Sequence, residues 1–281
     1  MTRCRLGASV FDSVVVIEPP GYPHHCFDEI ARSFLGASQD LGLIDRAATV
    51  GHDPSATLAP LVFGAHLEPN VKYPKDAIIF NLEQSGSDAF DDVNYCKLLQ
   101  YSKVWDYDQA NIATLENFYG ITATYCGIGY HDTLVDVPAK AAPSIDVLFY
   151  GSLNERRVEV LKEIAKRGPH TVCLLDTYGI KKLEAISDAK VVVNMHYHEA
   201  GRFEIVRCSH LLANGVCVVS ESGTSPIEAD LVNAVKFAKY EDLPSVVEGV
   251  LGNWRDLGAR GRQVFRRFPQ TKYLEAACST L

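Results

Sequence analysis

The 281-residue chain predicts an α/β protein built from two parallel-sheet domains, and three features of the sequence predict it. Short runs of Val, Ile and Leu alternate with stretches of helical periodicity along almost the whole length. Those runs are apolar at successive positions rather than at every second one, the pattern of strands covered by helices on both faces. A Pro- and Ala-rich segment without periodicity, DVPAKAAPS (136–144), divides two such series and predicts domains over 1–140 and 141–281.

The first series opens with SVVVIEP (13–19), a strand by its continuous apolar run. In the segment that follows, Phe27, Ile30, Ala31 and Phe34 recur at the spacing of one helix face. AIIFNLE (77–83) is a second strand, DDVNYCKLLQYS a helix, and KVWDYD a short extended stretch. QANIATLENFYG reads as a helix that Gly120 closes from a C-cap position.

The second series begins with the strand IDVLFYG and the helix ERRVEVLKEIAKRG. TVCLLD, IKKLEAISD and AKVVVNMHY continue as strand, helix and strand. The helix in FEIVRCSHLLANG, the strand VCVVSE and C-terminal helical segments complete it. The pattern as a whole predicts two Rossmann-like domains facing across a cleft. Ligands of open parallel sheets lie at the carboxyl ends of the strands. Glu83, Asp106, Gly151, Ser152, His196 and Glu221 fall at those ends.

Composition excludes several classes. Charged residues make up 22% of the chain, the net charge is −8 and no run of like charges stands out, so general nucleic-acid binding is not expected. The eight cysteines are scattered without a C-x-x-C pair, which argues against a zinc or disulfide framework. The N-terminus lacks a long apolar segment, and no stretch approaches the length of a membrane span. A reducing, cytoplasmic setting is expected. The basic residues Arg262, Arg266 and Arg267 leave room for peripheral contact with a membrane surface or an anionic acceptor.

Several stretches carry chemistry. In VLFYGSLNERR, a glycine at a strand end lets backbone N–H groups approach a phosphate, and Arg156 adds charge-assisted hydrogen bonds. No G-x-G-x-x-G or Walker lysine accompanies it. An ordinary strand–turn–helix with solvated arginines explains the same residues. In NMHYHEAGRFEIVRCSHLLANG, Glu204, Arg207 and Leu211 share a helix face. That pair reads either as a solvated cap or as a holder of a ribose hydroxyl and a phosphate. His196 and His198 point to opposite faces of a strand, which disfavours zinc. Glu83 and Gln84 at a strand end suit a general base or a hydroxyl contact. EPPGYPHH places Gly21, Tyr22 and His24 in a turn before a helix.

Taken together, VLFYGSLNERR, VVVNMHYHEAGRFEIVRCSHLLANGVCVVSE, IIFNLEQ, VWDYDQANI and YCGIGYHDTL resemble GT-B glycosyltransferases, in particular the group-one-like branch of spore-maturation, capsule and O-antigen enzymes. The resemblance covers most of residues 13–250. It implies a GT-B fold, an N-terminal acceptor domain, a C-terminal nucleotide-sugar domain and C-terminal helices that pack back. It also implies transfer of a hexosyl-type sugar from a nucleotide-diphosphate-sugar donor to a hydroxyl of a glycan, protein or small molecule, with no cofactor and no catalytic metal. Donor residues by resemblance are Gly151, Ser152, Arg156, His196, Glu204, Arg207, Ser209, His210 and Glu221. Acceptor residues are Gly21, Tyr22, His24, Gln84 and Asp106, and the catalytic carboxylates are Glu83 and Glu204. The branch usually carries two glutamates separated by seven residues; here those positions are Arg202 and His210, with Glu204 nearby. A nucleotide-sugar epimerase or hydrolase, or a non-catalytic sugar-nucleotide-binding partner subunit, are the alternatives.

Overall fold

The structure is a computed structural model that describes residues 10–19, 25–199 and 201–280. Two compact units emerge: residues 1–128 with 270–281, and residues 129–269. Each is built on a five-stranded, all-parallel sheet.

The first unit runs β1 (Ser13–Val16), α1 (Asp28–Asp40), β2 (Pro60–Phe63), β3 (Ile78–Asn81), α2 (Val93–Gln100), β4 (Lys103–Asp106), α3 (Gln109–Tyr119) and β5 (Thr124–Tyr125). The strands lie in sequence order, β1-β2-β3-β4-β5. α1 begins with Asp28 and Glu29, which complement the positive end of the helix dipole, and buries Ile30, Ala31 and Phe34 as the spacing predicts. α3 is capped by Asp108, which accepts from the Asn111 N–H, and ends at Gly120 with φ +63°. An aromatic cluster fills one face: the rings of Phe63 and Phe80 stack at 5.2 Å, with Phe34 and Trp105 set edge-on. Burying each such ring contributes roughly 1.5–3 kcal/mol.

The second unit runs β6 (Ile145–Tyr150), α4 (Glu155–Lys166), β7 (Thr171–Leu174), α5 (Gly179–Ser187), β8 (Ala189–Asn194), α6 (Ile205–Ala213), β9 (Cys217–Glu221), α7 (Ile227–Leu231), β10 (Lys236–Ala238), α8 (Leu243–Val250) and α9 (Trp254–Phe265). Its strand order is β10-β9-β8-β6-β7. β6 therefore has β7 on one side and β8 on the other, and the order reverses there. Val147, Phe149, Val191, Val193 and Val219 form the core with Leu161 of α4 and Val247 of α8.

Three details differ from the sequence reading. β2 and β10 are strands that the reading did not single out: each has only three or four residues and lacks a long β-branched run. The segment 136–144 lies inside the second unit, where the Asn214 side chain accepts from the N–H groups of Asp136 and Val137. α10 (Gln270–Cys278) groups with the first unit, whereas the sequence expectation is a domain over 141–281 with C-terminal helices that pack back. It buries Leu274 and Ala277, and the Gln270 amide donates to the Gly127 carbonyl at 3.1 Å.

Candidate functional site

A parallel sheet offers its ligand site where the strand order reverses. In the second unit that point lies between β6 and β8, and their carboxyl ends carry Gly151 on one strand and Asn194 to His196 on the other. α6 follows β8 and brings Glu204 and Arg207 to the same place.

Glu204 ends the loop before α6, and its side chain is 18% exposed. Its Oε2 accepts from Asn194 Nδ2 at 2.7 Å and pairs with His196 Nδ1 at 3.1 Å. Its Oε1 lies 3.8 Å from Arg157 and receives no hydrogen bond from the described residues. Burial pushes the Glu204 pKa up, but the hydrogen bond and charge of His196, with Arg207 and Asn194, outweigh it and hold the carboxyl below its ordinary value. Burial alone would lower His196; its bond to Glu204 and the nearby charges of Glu204, Glu221 and Glu228 shift it upward instead. His196 is 1% exposed and its Nε2 is without a partner among the described residues. A Cβ at Gly201 would stand 2.4 Å from His196 Cβ, so the loop closes on the imidazole only with glycine there.

The three arginines of the site differ in how they are used. Arg156 forms a two-pronged pair with Glu221, stacks 4.0 Å from the Tyr240 ring centroid and also donates to the His196 carbonyl. Arg157 is buried; it donates to the carbonyls of Ser152 and Met195, and burial with the nearby Arg207 charge brings its pKa down to about 10. Arg207 donates only to Asn194 Oδ1, at 3.3 Å, and lies over Tyr150. No carboxylate lies within 4 Å of it among the described residues. Its Nη2 sits beside Gly151, whose φ of +125° is open to glycine and costly to other residues.

Other expected residues are engaged inside the fold. Glu221 is 4% exposed and is spent on Arg156 and the His196 N–H. Ser209 is fully buried and donates to the Val206 carbonyl in its own helix. His210 pairs with Asp136 at 2.6 Å and helps fasten the 134–137 segment to α6. Ser152 is exposed at the β6 end.

In the first unit, Asp106 is fully buried rather than open to a ligand. Burial raises its pKa to about 7, although Asp108 N–H, Asn81 Nδ2 and Asn111 Nδ2 all donate to it. Glu83 is partly exposed, 3.3 Å from His66 Nε2, and accepts from the Ser87 hydroxyl. Gln84 is half-buried next to it. Gly21, Tyr22 and His24 lie outside the described residues. Among the described residues, one set of metal-type ligands converges, Glu18, His25 and Asp28. His198 is exposed and stands apart from His210, which Asp136 holds.

The sequence reading passed over Asn194, Ser220 and His66, and did not separate the role of Arg157 from that of Arg156. A signal for the first was present: a single amide at the end of a run of valines, VVVN, must be buried and therefore bonded.

No protein-family model and no curated protein matches the chain. Solved structures do. The chain is similar to Anabaena Alr3699/HepE in complex with UDP and glucose, with 12% identity over 96% of this chain and 99% of that one and a TM-score of 0.60. It is also similar to a glycosyltransferase from Rickettsia africae, with 10% identity over 95% and 94% of the two chains and a TM-score of 0.49. AviGT4, a glycosyltransferase involved in avilamycin A biosynthesis, gives 11% identity over 94% and 98% and a TM-score of 0.48. The fold of this chain is GT-B, α/β with two units on parallel sheets.

Proposed function

We propose that the chain is a glycosyltransferase that takes a sugar from a nucleotide-diphosphate-sugar bound at the β6–β8 strand ends and passes it to a hydroxyl acceptor. One observation carries this reading. Of the three arginines gathered there, Arg156 and Arg157 are committed to Glu221 and to backbone carbonyls, while among the described residues Arg207 has only a neutral amide oxygen. A cation without a carboxylate partner at a strand-order reversal suits an anionic ligand.

In this reading Arg207 and the amino end of α4 stabilise the charge that builds on the departing diphosphate, an electrostatic contribution that needs no catalytic metal. Glu204 offers Oε1 to a donor hydroxyl. In the first unit, Glu83, held by His66 and Ser87, is the carboxylate assigned here to the role of general base. Uridine diphosphate and glucose occupy the Anabaena relative, so UDP-glucose is the first donor to try. A reducing, cytoplasmic setting suits the seven described cysteines, all of them free thiols. None of the described helices is long and apolar enough to cross a membrane.

The test is turnover of UDP-, GDP-, ADP- and dTDP-sugars in EDTA against a panel of glycans and small alcohols. Acceptor-dependent release of the nucleotide, abolished by Arg207→Ala, supports the proposal. Nucleotide release that is equally fast without acceptor, or no turnover of any donor, contradicts it.

A further inference from the structure

We infer that Asn194 is a positioning residue whose single amide sets Glu204 and Arg207 as one donor-reading unit, an inference that rests on the glycosyl-transfer reading above. Asn194 ends β8 and is fully buried. Every polar function of its side chain is in use. Nδ2 donates to Glu204 Oε2 at 2.7 Å and to Ser220 Oγ at 3.0 Å, while Oδ1 accepts from Arg207 Nη1 at 3.3 Å.

Only one orientation of the amide satisfies these partners. Turned over, Oδ1 would face the Glu204 carboxylate, and the NH2 group would face the N–H donors of an arginine. Ser220 reinforces the choice. Its hydroxyl, fully buried at the end of β9, donates to the Glu221 carbonyl at 2.9 Å and leaves a lone pair for Asn194. Hydrogen bonds therefore run in one direction, from Arg207 to Asn194 to Ser220 to the Glu221 carbonyl, with a branch from Asn194 to Glu204.

Two consequences reach the ligand. Asn194 and His196 tie Oε2 of Glu204, so Oε1 is the oxygen left for a hydroxyl. Asn194 also holds Nη1 of Arg207, while Nη2 lies against Gly151. The hydroxyl contact and the phosphate contact are thus registered to each other through one side chain. Aspartate has the same shape but would set a second carboxylate against Glu204; alanine removes all three bonds and leaves Arg207 without its acceptor.

The experiment titrates wild type, Asn194→Asp, Asn194→Ala, Ser220→Ala and Arg207→Ala by calorimetry. The ligand is whichever of UDP, GDP, CDP, ADP and dTDP binds wild type best, and each titration is run at pH 5.5, 7.0 and 8.5. Asn194→Ala is expected to weaken binding at least tenfold at every pH. Asn194→Asp is expected to be as weak at pH 8.5 and to recover at pH 5.5, where the paired carboxylates share a proton. The other titratable groups around Glu204 are His196, Arg157, Arg207, Cys208, Glu221 and Glu228. They are common to wild type and the Asn194 and Ser220 variants, so the difference between profiles reports the substituted side chain. Ser220→Ala keeps the amide and loses its anchor; binding weakened about threefold at an unchanged melting temperature gives the same answer should an Asn194 variant fold poorly.

Wild-type affinity and an unaltered pH profile in the Asn194 and Ser220 variants, with binding lost in Arg207→Ala, overturn the inference and leave the transferase reading standing. No binding of any nucleoside diphosphate by wild type overturns both.

Discussion

The Arg207 guanidinium occupies the space where a side chain on Gly151 would begin: a Cβ at Gly151 would lie 2.8 Å from Arg207 Nη2. The glycine that ends β6 is therefore less a bare backbone for a phosphate to approach than a recess for the arginine of α6. Gly151→Ala is expected to displace Arg207 and to strain a backbone held at φ +125°. Nucleotide affinity should fall about tenfold or more, with a stability cost on the order of 1–3 kcal/mol. Calorimetry and thermal melts of the variant check both; unchanged affinity would mean that the contact has no bearing on the ligand.

Among the described residues Arg207 has no carboxylate partner to leave orphaned, so its removal should be gentle on the fold. Arg207→Ala is expected to cost about 1.5–3 kcal/mol of nucleotide binding, roughly 10- to 150-fold in Kd. The melting temperature should move by no more than a few degrees. A large drop in stability together with intact binding would assign the residue to packing.

Arg156 and Glu221 behave oppositely. Glu221 is 4% exposed and Arg156 faces it with two prongs, so Arg156→Ala leaves a buried, uncompensated carboxylate. That single change should destabilise by about 3–5 kcal/mol, whereas Arg156→Met with Glu221→Leu should recover much of the loss. Denaturant unfolding of the two singles and the double variant measures the coupling. Additive losses would show that the pair is not a unit.

The Glu204–His196 pair predicts a pH window. The folded pKa of His196 is raised, so its contribution is present below the ordinary imidazole value and is lost as pH rises through the folded value. Glu204 is lowered, so its contribution is present above the ordinary carboxyl value and is lost as pH falls through the folded one. Their joint contribution is largest between the ordinary carboxyl value and the ordinary imidazole value. Melting temperature should decline from weakly acid to alkaline pH in wild type, and Glu204→Gln should flatten that slope. Equal slopes in the two proteins would contradict the pairing.

The sheets were legible because their strands are short apolar runs bounded by glycine and charge, and the helices because their apolar residues recur at one-face spacing. β2 and β10 escaped because a strand of three or four residues covered by neighbours needs no distinctive composition. At the site, Glu204 and Arg207 stood out as charges at the start of a mostly apolar helix. What sequence could not give was pairing. Arg156, Arg157 and Arg207 are the same residue type near one strand end, and only the positions of Glu221, the Ser152 and Met195 carbonyls and Asn194 decide which cation is left for a ligand. Asp106 reads as a ligand contact from its place at a strand end, and His210 from the family resemblance, and in both the pairing is invisible in the sequence. A polar group looks alike in the sequence whether it faces solvent or is enclosed, as His210 of α6 is by Asp136 and Asp106 at the end of β4 is by Asn81 and Asn111.

The most direct measurement is a calorimetric titration of the wild-type protein and Arg207→Ala with UDP, GDP, CDP, ADP and dTDP in the presence of EDTA. Saturable binding of one of these nucleotides to wild type, weakened at least tenfold in the variant, is the predicted result. Equal binding to both proteins, or binding to neither, would contradict the assignment of the β6–β8 strand ends as a nucleotide-sugar site.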